Sequence, residues 1–335
     1  PRLRHRLGLP ADTSLAYDAA LETAVRAFQR RHGLPVDGIL GPRTQAALAV
    51  PVAVRVEQLR ANLERARWLL RDLDGRFVLV NIPDQSVELI EDGRVAWRSL
   101  AAVGKPLRQT PSLRARLTYL VFNPTWTVPE VILEREIIPG MRADRTTLAQ
   151  RHLRLIDREG REAPADSVDW ARVDARRFPY LVRMDPGPEN PLGRVKFMLP
   201  NDHQVYLHDT PGKALFDRSR RAASSGCIRL EDPLGLAERL LEGQAVPSLP
   251  RANGEDDASL AACTSASAVW TRAVIDCVVL AGETATVSLR RPLPVVVLYL
   301  TAWQDEEGAA QFRDDLYGRD APLLEALGLR HTAAD

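Results

Sequence analysis

Residues 205–233 read VYLHDTPGKALFDRSRRAASSGCIRLEDP. The β-branched and aromatic residues 205–207 predict a short strand that ends at His208. Acidic residues at 231 and 232, followed by Pro233, predict the start of a helix, because Pro is favoured at the first helical position. A strand end therefore carries a histidine, and a turn 19 residues later carries Cys227.

A cysteine paired with a histidine suggests a nucleophilic thiol. The thiolate is the reactive form, and a free cysteine is mostly protonated near pH 7. His208 can take the proton from Cys227 and hold the resulting ion pair. The small residues 224–226 let successive backbone N–H groups, those of Gly226 and Cys227, converge where a tetrahedral intermediate develops charge. With the fixed charge of Arg229 nearby, the pattern predicts acyl transfer through a cysteine.

Two other interpretations of these residues stay open. A single cysteine and a single histidine are often a small buried side chain and a surface imidazole. Alternatively, His203, His208 and Cys227 are all potential zinc ligands. No C-x-x-C or H-x-x-x-H spacing accompanies them, so the sequence predicts no metal and no cofactor.

The stretch 208–230 resembles the signature of the YkuD-type L,D-transpeptidases, which cross-link peptidoglycan. In that family a histidine is followed, at a similar distance, by the pattern S-x-G-C-I/V-R. Here the pattern extends over residues 224–229, and His208, Ser225, Gly226, Cys227 and Arg229 all fall on the signature. The resemblance implies that Cys227 is the nucleophile and that His208 is its general base.

The same resemblance suggests roles for four neighbouring residues. The backbone carbonyl of Asp209 would orient the imidazole. Tyr206 matches a tyrosine that the larger Gram-negative members place beside the active site. Tyr206, Ser225 and Arg229 are therefore expected to contact the substrate or to support the loop that binds it.

The first 50 residues predict a small helical module whose N-terminal part is truncated. Apolar residues recur there at helical spacing: Leu21, Ala24, Val25 and Phe28. The string VRAFQRRHGLPVDGILGPRTQAAL, residues 25–48, resembles the three-helix peptidoglycan-binding-1 module found beside many cell-wall enzymes. That resemblance implies binding to the wall, and a spacer without ligand affinity is the alternative.

Three further segments follow the module. In residues 51–75 an apolar stripe predicts a connecting helix that packs on the next domain through Val52, Val56, Leu59, Leu63, Ala66 and Leu70. From Phe77 the apolar period changes to two, so residues 76–335 are predicted to be a mostly-β domain with helices. Within it, residues 130–194 are rich in acidic and arginine side chains. The resemblance implies that they form an inserted subdomain that caps the active site, and a solvated surface excursion is the alternative.

Composition and charge limit the function further. The 335 residues are 45% hydrophobic and carry a formal net charge of +1, which argues against a dedicated nucleic-acid binder. The longest apolar run, 293–303, is too short to span a membrane. The chain begins at Pro1 inside a helical pattern, so we interpret it as a processed product without its signal or anchor segment.

Two cysteines remain when Cys227 is taken as the nucleophile. In an oxidising periplasm Cys263 and Cys277 would form a disulfide, and two buried thiols are the alternative. The resemblance itself implies the periplasm of a Gram-negative bacterium.

The combined prediction is an α+β protein. It has a mostly-β L,D-transpeptidase catalytic domain with an inserted capping subdomain, and a small three-helix module. The resemblance implies that Cys227 attacks residue three of a donor tetrapeptide stem and that a second stem accepts the acyl group in a 3→3 cross-link. Expected partners are these stem peptides, carbapenem inhibitors and other cell-wall synthesis proteins. The alternatives are a carboxypeptidase or endopeptidase with the same dyad, and a non-catalytic wall-binding scaffold.

Overall fold

The structure is a computed structural model that describes residues 2–10, 16–73, 75–246 and 269–329. Within these ranges, no helix combines the length and the apolar character needed to cross a membrane. Cys263 lies outside the described residues, so the Cys263–Cys277 disulfide stays a prediction.

The N-terminal module consists of helices. They are α1 (Arg2–Arg6), α2 (Ala19–Arg31) and α3 (Pro42–Ala49). The Asp18 carboxylate caps α2 by accepting a hydrogen bond of 2.9 Å from the Leu21 N–H. Leu21, Val25 and Phe28 are buried, as their helical spacing predicts.

Helix α4 (Val52–Leu69) connects the module to the catalytic domain, but not through the predicted apolar stripe. That prediction is wrong for most of the helix, since Val52 is 64% exposed and Leu63 is 60% exposed. The face that α4 buries is largely polar: Gln58, Ala61, Asn62 and Arg65.

The surface that receives α4 explains this difference, because it presents main-chain polar groups that need partners. Gln58 Nε2 donates to the carbonyls of Thr301 and Arg313 at 2.9 and 3.0 Å. Asn62 bonds both the Thr301 hydroxyl and the Thr301 N–H, at 2.7 and 2.8 Å.

Strands are the main regular elements of the remaining domain. In chain order they are β1 (Arg76–Asn81), β2 (Ser86–Glu91), β3 (Arg94–Gly104), β4 (Leu113–Phe122), β5 (Trp126–Thr127), β6 (Arg154–Ile156), β7 (Glu162–Ala163), β8 (Leu181–Met184), β9 (Val195–Met198), β10 (Leu207–His208), β11 (Ala222–Ser224), β12 (Ile228–Leu230), β13 (Ala285–Leu298), β14 (Ala302–Gln304) and β15 (Ala310–Phe312).

Nine of these strands form the central sheet, in the order β11-β3-β12-β10-β9-β4-β13-β1-β2. Strand β2 also pairs with β3, so the sheet closes on itself like a barrel. Strands β14 and β15 form a separate hairpin. The predicted α+β class, with a mostly-β domain and a helical module, is confirmed.

Short helices complete the described chain. They are α5 (Glu130–Ile132), a π-helical turn (Leu133–Ile137), α6 (Ile138–Ala143), α7 (Thr147–Gln150), α8 (Pro233–Leu241), α9 (Arg272–Ala281) and α10 (Asp320–Ala326), with 3₁₀ turns at Ala165–Ser167, Ala175–Arg177 and Lys213–Leu215. Helix α8 begins at Pro233, as predicted, and the Asp232 carboxylate caps it by accepting from the Gly235 N–H at 2.9 Å.

The segment inserted between β4 and β9 has a core of its own. Strands β5 to β8 form a four-stranded sheet in the order β5-β8-β6-β7. This sheet and the helices beside it bury Ile137, Met141, Leu155 and Trp170. The insertion is therefore a folded unit rather than a solvated excursion.

Candidate active site

The candidate site lies across three neighbouring strands, β9, β10 and β12. Leu207 of β10 pairs with Phe197 of β9 and with Ile228 of β12. All three side chains are fully buried in the main core, and they define the inner face of the strands. Because side chains alternate between the two faces of a strand, the residues next to them point to the opposite face.

His208 is the β10 residue on that opposite face, and it pairs with Lys196 and Arg229. Tyr206 and Cys227, each two residues from a member of this row, share the face. The ring centroids of Tyr206 and His208 are 5.6 Å apart, and Lys196 Nζ lies 4.1 Å from the centroid of the Tyr206 ring. We call these five residues the active face.

His208 is held in one orientation by the next residue. Its side chain is buried, and Nδ1 contacts the carbonyl oxygen of Asp209 at 2.5 Å, which is the contact that the family resemblance implied. A carbonyl only accepts, so Nδ1 carries the proton and Nε2 is left as the acceptor. Burial and the nearby charge of Arg229 lower the pKa of His208 to about 3, so the imidazole is neutral at pH 7.

The Asp209 carboxylate fixes the chain that carries this carbonyl. It accepts from Arg194 Nε at 2.8 Å, from the Arg194 N–H at 3.0 Å and from Lys213 Nζ at 2.7 Å. Burial alone would raise the pKa of Asp209, but the hydrogen bonds from Arg194 and Lys213 outweigh it and lower that pKa. Asp209 is therefore an ionised anchor that positions its own backbone against His208.

Cys227 is a protonated thiol in this environment. Burial raises its pKa, although hydrogen bonds from Tyr206 and the positive charge of Lys196 oppose the shift. The Sγ atom points to the carbonyl of Gln204 at 3.9 Å, and no hydrogen bond to His208 is among the contacts of the described residues. The resting dyad is thus a neutral thiol and a neutral imidazole, which differs from the predicted ion pair.

The turn before Cys227 has a conformation that requires glycine. Gly226 has a φ of +121°, a region that residues with a Cβ rarely adopt. Its N–H donates to Ser224 Oγ at 3.1 Å, and Ser224 Oγ donates to the Cys227 carbonyl at 2.5 Å. The Cys227 N–H has no acceptor among the described residues. The sequence predicted two free donors, and the structure has one at Cys227 and none at Gly226.

The loop after β3 forms hydrogen bonds with this turn, a role that was not predicted from the sequence. Thr110 Oγ1 donates to the Gly226 carbonyl at 2.8 Å and accepts from the Gly104 N–H at 2.9 Å. Arg108 Nη1 donates to the exposed Ser225 hydroxyl at 2.9 Å. These residues are distant from Cys227 in sequence, so no local motif signals the contact. Lys196 on the active face was missed for the same reason.

Zinc ligation by the residues considered above has no geometric support in the described part of the chain. His203 is exposed, whereas His208 is buried against Asp209. No group of three or more His, Cys, Asp or Glu residues suited to a metal ion occurs among the residues described.

Two family profiles match the sequence. The L,D-transpeptidase catalytic domain (YkuD) matches residues 75–247, and a "Putative peptidoglycan binding domain" matches residues 2–48. A "Putative L,D-transpeptidase" of Haemophilus influenzae is 32% identical over 267 residues, which cover 80% of this chain and 49% of that protein. The chain therefore spans about half the length of the curated relative that it matches.

Solved structures show a weaker similarity. An L,D-transpeptidase from Mycobacterium smegmatis is 15% identical with a TM-score of 0.29, over 67% of this chain and 59% of that chain. LD transpeptidase LdtMt1, in complex with imipenem, is 15% identical with a TM-score of 0.24, over 68% and 64% of the two chains. The sequence matches, which extend over more than half of the chain, are the stronger finding.

Proposed function

Because the chain belongs to the L,D-transpeptidase catalytic-domain family, we propose that it forms 3→3 cross-links between peptidoglycan stems through a thioester on Cys227. The observation that carries the proposal is the active face, on which the thiol of Cys227 shares one surface with a histidine whose Nε2 is free to accept a proton. A substrate in the wall also implies a periplasmic location, which we include in the proposal.

In the acylation step, Cys227 attacks the carbonyl of residue three of the donor stem. Both resting partners are neutral, so the thiol proton passes to His208 Nε2 as the C–S bond forms. The Cys227 N–H, which has no other acceptor in the described part of the chain, donates to the oxyanion. His208 then gives the proton to the leaving amine, D-Ala departs, and a thioester remains.

In the transfer step, the side-chain amine of residue three on a second stem attacks the thioester. His208 takes a proton from this amine and returns one to the Cys227 sulfur as the C–S bond breaks. Tyr206 donates to the sulfur and so stabilises it as the leaving thiolate. The acyl group passes from one amide through the thioester to a new amide, so the reaction needs no ATP.

Product masses distinguish this activity from its two alternatives. Purified protein is incubated with disaccharide-tetrapeptide, and the products are weighed by mass spectrometry. A dimer that has lost one D-Ala supports the transferase, tripeptide alone indicates a hydrolase, and unchanged substrate favours a scaffold. Cys227→Ala is expected to abolish turnover, and His208→Ala to lower it by about 10²–10⁴-fold or more. A variant of Cys227 that kept its activity would remove this residue from the mechanism.

Carbapenem acylation gives a second, substrate-independent readout of Cys227. A carbapenem presents a strained acyl group to the thiol, and the acyl-enzyme keeps the whole drug because the ring opens without a leaving fragment. Intact-mass measurement should show one added drug mass in the native protein and none in Cys227→Ala. Addition at another residue would contradict the assignment of the site.

We propose that the insertion limits hydrolysis of the thioester. An acyl-enzyme competes with water until the amine arrives, and closing a cover over the site is one physical means of excluding water. Because the insertion has a core of its own, residues 132–192 can be replaced as a unit by a Gly/Ser loop. The shortened enzyme should form less dimer and more tripeptide, and an unchanged ratio would refute the capping role.

A further inference from the structure

Two cations on the active face have no anionic partner among the residues that the structure describes. Lys196 is half-buried with its ammonium over the Tyr206 ring, and no carboxylate among the described residues pairs with it. Arg229 lies beside His208 in the sheet, and its buried Nε has no hydrogen-bond partner within the described chain. Burial lowers the pKa of both side chains, and Cys227 is the acidic group whose charge acts on each of them.

Two other buried or half-buried cations in the described part of the chain are fully paired. Lys213 bonds Asp209 and two backbone carbonyls, at 2.7 to 3.2 Å. Arg65 pairs with Asp320 and also donates to the Arg319 carbonyl. Desolvating a charge without a partner costs free energy, so an unpaired cation at a candidate active site indicates that its partner arrives with the substrate.

The presence of a lysine at position 196 also supports an anionic partner that arrives with the substrate. The sequence has 45 basic residues, and Lys stands only at positions 105, 196 and 213. At 213 the ammonium donates hydrogen bonds to three separate acceptors, which matches the three donors of a lysine. At 196 a compact ammonium lies over the Tyr206 ring, 4.1 Å from its centroid. Such a point charge suits a single carboxylate held close to the nucleophile.

We propose that Lys196 and Arg229 bind the terminal carboxylate of the residue that leaves the donor stem. This deepens the proposed function and rests on it. The scissile nitrogen and the terminal carboxylate are attached to the same α-carbon, so a carboxylate beside Lys196 and Arg229 brings the preceding carbonyl to the Cys227 sulfur. The pair then selects a donor with one residue after the scissile bond. The chemistry is unchanged: the C–N bond breaks, the C–S bond forms, and His208 returns the proton to the amine.

Binding of two matched peptides tests the subsite without turnover. In the Cys227→Ala protein, calorimetry compares a stem tetrapeptide that ends in a free carboxylate with the same peptide ending in a carboxamide. The carboxylate form should bind about 10–100-fold more tightly, the range for one or two hydrogen bonds to a charged group. Adding Lys196→Met should bring the carboxylate peptide to the affinity of the amide, whereas Lys196→Arg should restore part of the difference.

Lys105→Met is the matched control, because Lys105 is exposed and off the active face. The control should keep the preference for the carboxylate. Equal binding of the two peptides, no binding of either, or a preference that survives Lys196→Met would each overturn the subsite. Wild-type product masses report on cross-linking separately, so failure of the subsite and failure of the proposed function are distinguishable. Circular dichroism confirms that each variant is folded.

Discussion

Thr110 Oγ1 donates a hydrogen bond of 2.8 Å to the carbonyl oxygen of Gly226, the residue immediately before Cys227. The peptide bond between Gly226 and Cys227 is planar and trans, so the Cys227 N–H points away from that carbonyl. Because Thr110 holds this carbonyl, it also fixes the direction of the Cys227 N–H, which we propose donates a hydrogen bond to the oxyanion. Thr110 acts through the backbone of the turn and is a positioning residue.

Thr110→Val should lower kcat by about 10–100-fold with little change in KM, because one transition-state donor loses its orientation. The turnover rate is measured at a temperature where the variant is folded, since two buried partners of the hydroxyl are left unsatisfied. Thr110→Ser keeps the hydroxyl and should recover most of the rate.

Alkylation by iodoacetamide separates positioning from general damage to the site. Displacement at the iodoacetamide carbon forms no oxyanion, so Thr110→Val should alkylate Cys227 at nearly the wild-type rate. If acyl transfer and alkylation fall together, Thr110 shapes the pocket rather than the oxyanion donor.

The part of the site that a local motif encodes could be predicted from the sequence, and the part that tertiary pairing creates could not. His208 ends a predicted strand, and Cys227 lies in a predicted turn of the same stretch of sequence. Their place in one site could therefore be predicted from this local motif. Lys196 and Thr110 reach the site by sheet pairing and by a loop from other parts of the chain. Their positions depend on the strand order of the barrel, which residue spacing does not reveal.

The titration of Cys227 offers a direct test of the neutral dyad. Burial raises the pKa of Cys227, and the neutral His208 supplies no opposing charge. The alkylation rate should therefore rise with pH through a midpoint above the ordinary thiol range near 8.5. Lys196→Met should move this midpoint higher still, because it removes a positive charge that favours the thiolate.

Cys227→Ala gives the background from other thiols in this experiment. A plateau of rapid alkylation below pH 7 would show a thiolate–imidazolium pair, as the sequence alone suggested, and would contradict the neutral dyad.

The buried polar face of α4, which the apolar periodicity did not predict, should contribute to the free energy of unfolding. Asn62 bonds the side chain and the backbone of Thr301, and all of these groups are buried. Asn62→Ala should lower the free energy of unfolding by about 1–3 kcal/mol, because it leaves buried polar groups unpaired. Leu63→Ala, on the exposed face, should change it by less than about 0.5 kcal/mol.

Urea unfolding of the two variants measures both values. The sequence-based stripe predicts the opposite order, in which Leu63→Ala is the more harmful change. The periodicity argument failed because it ranks faces by apolar content, whereas the surface under α4 presents carbonyls and an N–H that only polar side chains satisfy.

His32 links the helical module to the catalytic domain and should make their contact sensitive to acid. Its ring stacks on Phe28 of the module at 3.8 Å between centroids, and lies 5.4 Å from Phe312 of the catalytic domain. Burial, together with the positive charges of Arg55, Arg31 and Arg313, lowers the pKa of His32 to about 4, despite the hydrogen bond to the Phe28 carbonyl.

The direction in which stability changes with pH follows from proton binding at His32. Between about pH 4 and 6.5 the unfolded chain holds a proton at His32 that the folded chain lacks, so stability falls as the pH decreases through this window. His32 is partly exposed, so its share of the loss between pH 7 and pH 5 is about 1 kcal/mol rather than the full Coulombic value. The pKa of His208, about 3, is also lowered in the folded protein, so His208 likewise contributes a loss of stability as the pH decreases.

His32→Phe keeps an aromatic ring between Phe28 and Phe312 but removes the titrating group. Urea unfolding at pH 5, 7 and 8 should show a smaller loss of stability from pH 7 to pH 5 in the variant than in the native protein. Between pH 7 and pH 8 the stabilities of the two proteins should change almost in parallel, because His32 is neutral in the folded chain and mostly neutral in the unfolded chain there. Equal acid sensitivity of the two proteins would mean that His32 stays accessible to protons, and that the module is not held by a neutral imidazole.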